Sequence, residues 1–353
     1  MTKGSRIAIR IAIAGGAIVL VLLASLAVWL TFPRTPSDTS ILKFQGYISL
    51  PAGSHSKFLT VLDYMTVNGR NLFVTNVSTG TVYKIALRGS ALPSVPDIAL
   101  FESEPAAHGV IVDPVSDLAF VTRSKANVVD VFDPDSMKLI KHFPVADDPD
   151  GIFYDPVDKL VYVASGDAGK GTLIDPATQT VTGTIALGGK PEFAVFDPAT
   201  KLLYQTLEDA NSIVVIDPAK RSIVDRWQLH QCESPTGIAI DEARQQLFIA
   251  CGHNSVLIVF DIERRQILAS LPIGYGPDSV AFDPALQRIY STGIAGDLSV
   301  IQKDETGAFR ALDSIHLHVG AHTLAVDPVT HRLFVGYASL FLPPRIAVFT
   351  AVH

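Results

Sequence analysis

Six ionisable side chains stand at one recurring register of this 353-residue chain: Asp63, His108, Asp150, Glu192, Asp278 and His322, with Thr236 the seventh member of the series. Successive members lie 42 to 45 residues apart. Brought together, such a set has two chemistries within reach. Two imidazoles and a carboxylate make a donor set that suits iron, zinc or a similar divalent ion. An imidazole beside a carboxyl group is equally a pair for acid–base work. The bland alternative is a solvated, acidic surface that binds nothing.

Two further groups carry potential chemistry. "IHLHVGAH" holds His316, His318 and His322, the first two on one face of an extended strand. The tract is short, and surface histidines on an outer strand are the competing reading. "HQCESPT" and "IACGHN" hold the two cysteines, Cys232 and Cys251, flanked by His230 and His253. A disulfide is one reading and a Cys2His2 metal site the other. No Gly-rich phosphate loop, HExxH, G-x-S-x-G or CxxCH motif occurs.

The elements that must position these residues are written in a repeat. The runs HGVIVDP, DGIFYDP, EFAVFDP, TGIAIDE, DSVAFDP and HTLAVDP align, and a more divergent DYMTVNG precedes them. Each run is followed by a second apolar segment (LFVTN, LAFVT, LVYVA, LLYQT, LFIAC, RIYST, LFVGY), then by a third such as SIVVIDP and a fourth such as TVTGTIAL. These segments are short, rich in Val, Ile, Phe and Tyr, and separated by turn residues, which predicts β-strands. Four strands in about 40–45 residues is a propeller blade. Asp fits position i of a type I turn and Pro presets φ at i+1. Asp-Pro therefore marks turns on one face of the disc, and the ring residues open the innermost strands at the opposite end of the central channel. In ring order His322, Asp63 and His108 become consecutive, which makes them the candidate metal trio. Asn76 and Arg123 end second strands near the same rim, where they would meet a polar or anionic ligand. The last unit, "RIAVFTAVH", lacks a fourth strand, and "ILKFQGYISLPAG" at residues 41–53 matches one. The predicted fold is an all-β, seven-bladed β-propeller closed by its N-terminal strand.

With "LVYVASGDAGKGTLIDPATQTVTGTIALGGKP" and its neighbours as the carrying motifs, everything after residue 40 resembles the YVTN family of seven-bladed propellers. The resemblance implies the fold. It leaves function open among lactonase-like enzymes, surface-layer proteins and modules attached to redox enzymes.

The N-terminus sets the expected location. Residues 1–10 carry Lys3, Arg6 and Arg10, and residues 11–32 are an uncharged run of 22. At 1.5 Å per residue that run spans a hydrocarbon core of roughly 30 Å. It is longer than the apolar region of a cleavable signal peptide, although Ser25-Leu26-Ala27 offers a cleavage site. A transmembrane signal anchor, a linker at 33–40 and a propeller at 41–353 outside the cytoplasm follow from the positive-inside rule. The net charge of −7 argues against a nucleic-acid partner. The expectation is a single-pass protein of the inner membrane with its propeller in the periplasm or outside the cell. The upper funnel would engage a protein partner, a small polar ligand or a divalent metal ion; no cofactor is certain. The alternatives are a lactonase-like hydrolase or lyase, with a funnel metal or a His/acid pair, and an accessory protein of a redox or metal-handling system.

Overall fold

The computed structural model describes residues 35–51, 59–87, 89, 92, 96–312, 314–340 and 344–352. The expected anchor at 11–32 lies outside them, and among the described residues no helix is long and apolar enough to cross a membrane.

The described chain forms seven antiparallel blades around a central channel. Their inner strands, blades 1 to 7 in order, are Leu59–Asn68, Ala107–Val112, Pro149–Asp155, Pro191–Asp197, Pro235–Asp241, Pro277–Asp283 and Ala321–Asp327. Blade 3 shows the pattern: Pro149–Asp155, Leu160–Ser165, Lys170–Asp175 and Thr180–Ala186 pair in sequence order. In blade 6 the outer position is split between Phe309–Ala311 and Ile315–His316, both paired with Asp297–Lys303. Blade 7 takes its fourth strand from the start of the chain. Leu42–Ser49 pairs with Arg345–Ala351, from Leu42 opposite Ala351 to Ser49 opposite Arg345. A closed ring leaves fewer open sheet edges.

Apolar packing lies between blades rather than in one centre. Among the described residues seven hydrophobic clusters occur, one at each blade interface; that between blades 1 and 2 joins Phe73, Val82 and Phe101 to Val110, Val121 and Phe132. Phe101 and Phe132 stack there at 4.3 Å. All seven clusters draw on residues from Ile41 onward. With the ring closed by Leu42–Ser49, the chain from residue 36 holds a complete core of its own.

The aspartates of the repeat act as turn residues. Asp113, Asp155, Asp197, Asp283 and Asp327 each accept a backbone N–H from the residue two positions on, at 2.8–3.1 Å. These turns form the lower face of the disc.

Candidate functional site

Every inner strand slips register against its neighbour where the ring residue sits: between Leu62 and Met65, Ala107 and Val110, Pro149 and Ile152, Pro191 and Ala194, Pro235 and Ile238, Pro277 and Ser279, and Ala321 and Thr323. A bulge of this kind re-aims a side chain. It also brings neighbouring blades close. A Cβ on Gly109 would stand 2.7 Å from the Asp150 carbonyl oxygen, and one on Gly237 2.5 Å from that of Asp278. Threonines on the second strands lock this approach: Thr122 Oγ1 donates to Asp150 O, Thr206 Oγ1 to Thr236 O and Thr292 Oγ1 to His322 O.

Asp63 is the hub of the resulting site. Its Oδ2 lies 2.7 Å from His108 Nδ1 and its Oδ1 3.5 Å from His322 Nε2. His322 Nδ1 lies 3.4 Å from Asp278, His108 Nδ1 lies 3.5 Å from Asp150, and His108 Nε2 meets Ser124 Oγ at 3.1 Å. A chain of alternating carboxylates and imidazoles thus runs across blades 6, 7, 1, 2 and 3. The expected trio of His322, Asp63 and His108 does not gather on one point. Among the described residues the donors that converge fall into two groups, Asp63/His108/Asp150 and Asp63/Asp278/His322, which share Asp63.

Burial and charge set the protonation of these groups. Burial works to raise the Asp63 carboxyl, but hydrogen bonds from His108 and His322 overcome it and hold the group well below its ordinary value. Burial likewise opposes charging of His108, yet the hydrogen bond it donates to Asp63 and the charge of Asp150 raise it to about 9. His322 rises to about 10, chiefly through the charge of Asp278, against its own burial and with help from Asp63. The remaining acids are crowded. Burial and the Asp63 charge lift Asp150 to about 7, and burial with the Asp150 charge lifts Glu192 to about 8. Asp278 is also raised, first by burial, with His322 pulling the other way.

On the blade 4 side the acids have an ammonium partner. Lys190 Nζ lies 3.1 Å from Glu192 and 2.7 Å from Glu208, whose other oxygen accepts from Ser234 Oγ at 3.0 Å. Beneath both sides Tyr64 and Phe193 stack across the channel, ring centres 4.7 Å apart. Below them lies a cavity of about 610 Å³ lined mainly by apolar side chains. The upper mouth is therefore a floored cup.

Three expectations about single residues need correction. Thr236 is on the ring but turns its hydroxyl to Pro277 O at 2.9 Å, so it is a structural member. Asn76 and Arg123 do not reach the rim. Asn76 is 0% exposed and bonds Tyr83 and the Ser78 N–H; Arg123 is 1% exposed and its guanidinium holds the Gly80 and Pro105 carbonyls. Cys232 and Cys251 form a disulfide with Cα atoms 5.2 Å apart, which removes both thiols from the Cys2His2 alternative. His316 pairs with Asp297, and neither it nor His318 joins a three-donor group among the described residues.

The repeat register does not single out Lys190, Glu208, Ser124 or the Tyr64–Phe193 pair. For the last, the sequence nevertheless carries a signal. In the aligned repeats the residue after the ring position is glycine in blades 2, 3 and 5, and Tyr64 and Phe193 are the bulky exceptions.

Fold and site together define a seven-bladed β-propeller with a charged, floored cup at one end of its channel. No protein-family profile matches the chain, and no curated protein matches it either. Solved structures do. Hydrazine synthase of Kuenenia stuttgartiensis shares 16% identity over 77% of this chain and 90% of that one, with a TM-score of 0.67. A chain of the mitotic checkpoint complex shares 13% over 91% and 95%, with a TM-score of 0.72. Virginiamycin B lyase from Staphylococcus aureus shares 14% over 88% and 100%, with a TM-score of 0.70. Likeness at this identity establishes the propeller fold; the resemblance to the YVTN family gains no separate support.

Proposed function

We propose that this protein is a membrane-tethered, extracytoplasmic binding propeller whose upper cup holds a divalent cation and, through it, a polar ligand or a partner's side chain. The carrying observation is Asp63, buried and presenting one oxygen toward each of two imidazoles, with Asp150 and Asp278 completing the two donor groups. Crowded buried carboxyls forced upward in pKa are relieved by a positive charge among them. The tether reading rests on the basic segment and the uncharged run at 11–32. The Cys232–Cys251 disulfide suits an oxidising compartment.

The test is calorimetric titration of the chelator-treated chain from residue 36 with zinc, manganese and magnesium. Saturable binding that is lost in Asp63→Ala and kept in Thr236→Val supports the reading. Absence of binding by any of the three ions, with the His108→Ala, His322→Ala double variant melting and titrating like wild type, overturns it.

A second reading, a hydrolase or lyase, is favoured by one observation: Asp150, 3.5 Å from His108, and Glu192, 3.1 Å from Lys190, are pushed up to about 7 and about 8, the range useful to acid–base catalysis at neutral pH. Virginiamycin B lyase supplies a fold likeness only.

A further inference from the structure

The lower half of the channel is a chamber in its own right. The Tyr64–Phe193 stack roofs it, and the turns carrying Pro156, Pro198 and Pro328 surround its mouth. Its wall includes Val67, Tyr154, Phe196, Ile240 and Val326, which stand on their inner strands four residues after the ring position and are each partly exposed. From ring level to lower mouth is four residues, ~13 Å at ~3.3 Å per residue. Partly exposed apolar walls at this depth favour removal of an apolar guest from water. Its volume of about 610 Å³ and this depth leave room for an extended alkyl chain.

The mouth adds a polar preference. Glu242 is the one acidic residue among those lining the chamber, and it replaces the turn proline found after the aspartate in five other blades. No described side chain pairs with its carboxyl, and Asp197 and Asp241 add to the negative charge around it. The mouth also opens on the face from which the N-terminal chain departs. Leu42 pairs with Ala351, whose N–H bonds His331 O in a lower turn. The apolar run ending at Phe32 is therefore ten residues of chain from that face.

We infer that the lower chamber is a second binding site, which takes the single alkyl chain of an amphiphile and keeps an ammonium head group at Glu242. The inference stands apart from the cation reading of the upper cup, because the aromatic pair separates the two.

The experiment is displacement of N-phenyl-1-naphthylamine from the chain starting at residue 36. Dodecylamine, dodecanoate and a lysophosphatidylethanolamine are compared; the first and last separate a free amine from a lipid as the source of the chain. Dodecylamine should displace the dye at concentrations at least tenfold below dodecanoate. Across octyl, decyl and dodecyl amines affinity should rise by roughly tenfold per two methylenes until the chamber is full. Ala281→Trp, which places an indole inside the chamber, should weaken displacement at least tenfold; Val67→Phe serves the same end if that variant does not fold by circular dichroism. Glu242→Gln should close the gap between amine and carboxylate. His322→Ala, in the upper cup, should change neither. Equal displacement in a folded filling variant, or no displacement by any alkyl amphiphile in the wild type, overturns the site. Equal affinity for amine and carboxylate in the wild type overturns the head-group assignment.

Discussion

The two halves of the central channel are built by the same seven strands, four residues apart, and they share almost no chemistry. The upper register reads Asp63, His108, Asp150, Glu192, Thr236, Asp278 and His322; four residues on, the lower reads Val67, Val112, Tyr154, Phe196, Ile240, Phe282 and Val326. The upper set sits in bulges that turn side chains toward one another, so buried charges find opposite charges. The lower set follows regular pairing; all seven members pack against blade-interface clusters, and five of them, all but Val112 and Phe282, also line the chamber. The difference teaches that a propeller channel need not be one environment. An aromatic pair at the boundary is enough to let a charged cup and an apolar chamber coexist.

The sharpest way to break this contrast is Asp63→Ala, which leaves His108 and His322 without their shared counter-charge. Loss of one partner from a buried ion pair costs about 3–5 kcal/mol. Denaturant unfolding should show that loss, whereas Val67→Ala on the same strand should cost only about 1 kcal/mol. Equal effects would mean that the upper half is not held by its charges. Tyr64→Ala removes the partition, with an expected cost of about 3 kcal/mol from lost burial and stacking. A cost near zero in the same assay would show that the aromatic floor carries no packing.

A pH series sharpens the comparison without any substitution. Asp150 and Glu192 have folded values raised to about 7 and about 8, so their favourable contribution is complete below the ordinary carboxylate range and is lost as pH rises through those values. His108 and His322, raised to about 9 and about 10, contribute fully below the ordinary imidazole value and lose that contribution through their own folded values. The melting temperature of metal-free protein should therefore fall from about pH 5 to about pH 10, and Glu192→Gln should flatten the part below about 8. A rising melting temperature over that range would contradict the assignment. The smallest effect is expected at Thr236→Val. Losing the bond to Pro277 O costs about 1 kcal/mol, and cation titration should be unchanged. A lost cation signal there would return Thr236 to the binding set.

Much of the frame is legible in the residues alone. The repeated Asp-Pro turns announce the blades, because Asp and Pro are favoured at those turn positions for local reasons that survive in any context. The cysteine pair is readable because the blade topology places both near one rim. Asn76 and Arg123 mislead, since a strand-end position does not reveal that the neighbouring blade's carbonyls will enclose the side chain. Lys190 is hidden in an ordinary "GGKPE" loop until folding sets it against Glu208.

By itself the sequence determined the seven-unit frame, the strand that completes blade 7 and the identity of the residue at each ring position. These depend on local turn preferences and on a repeat that any alignment of the chain with itself displays. Only the tertiary structure decided that Asp63 is shared between two imidazoles, that Glu192 belongs to Lys190, and that Tyr64 meets Phe193 across the channel. Those pairings join strands far apart in the chain. They arise from the bulge that aims each ring side chain and from closure of the circle, which brings blades 7 and 1 together.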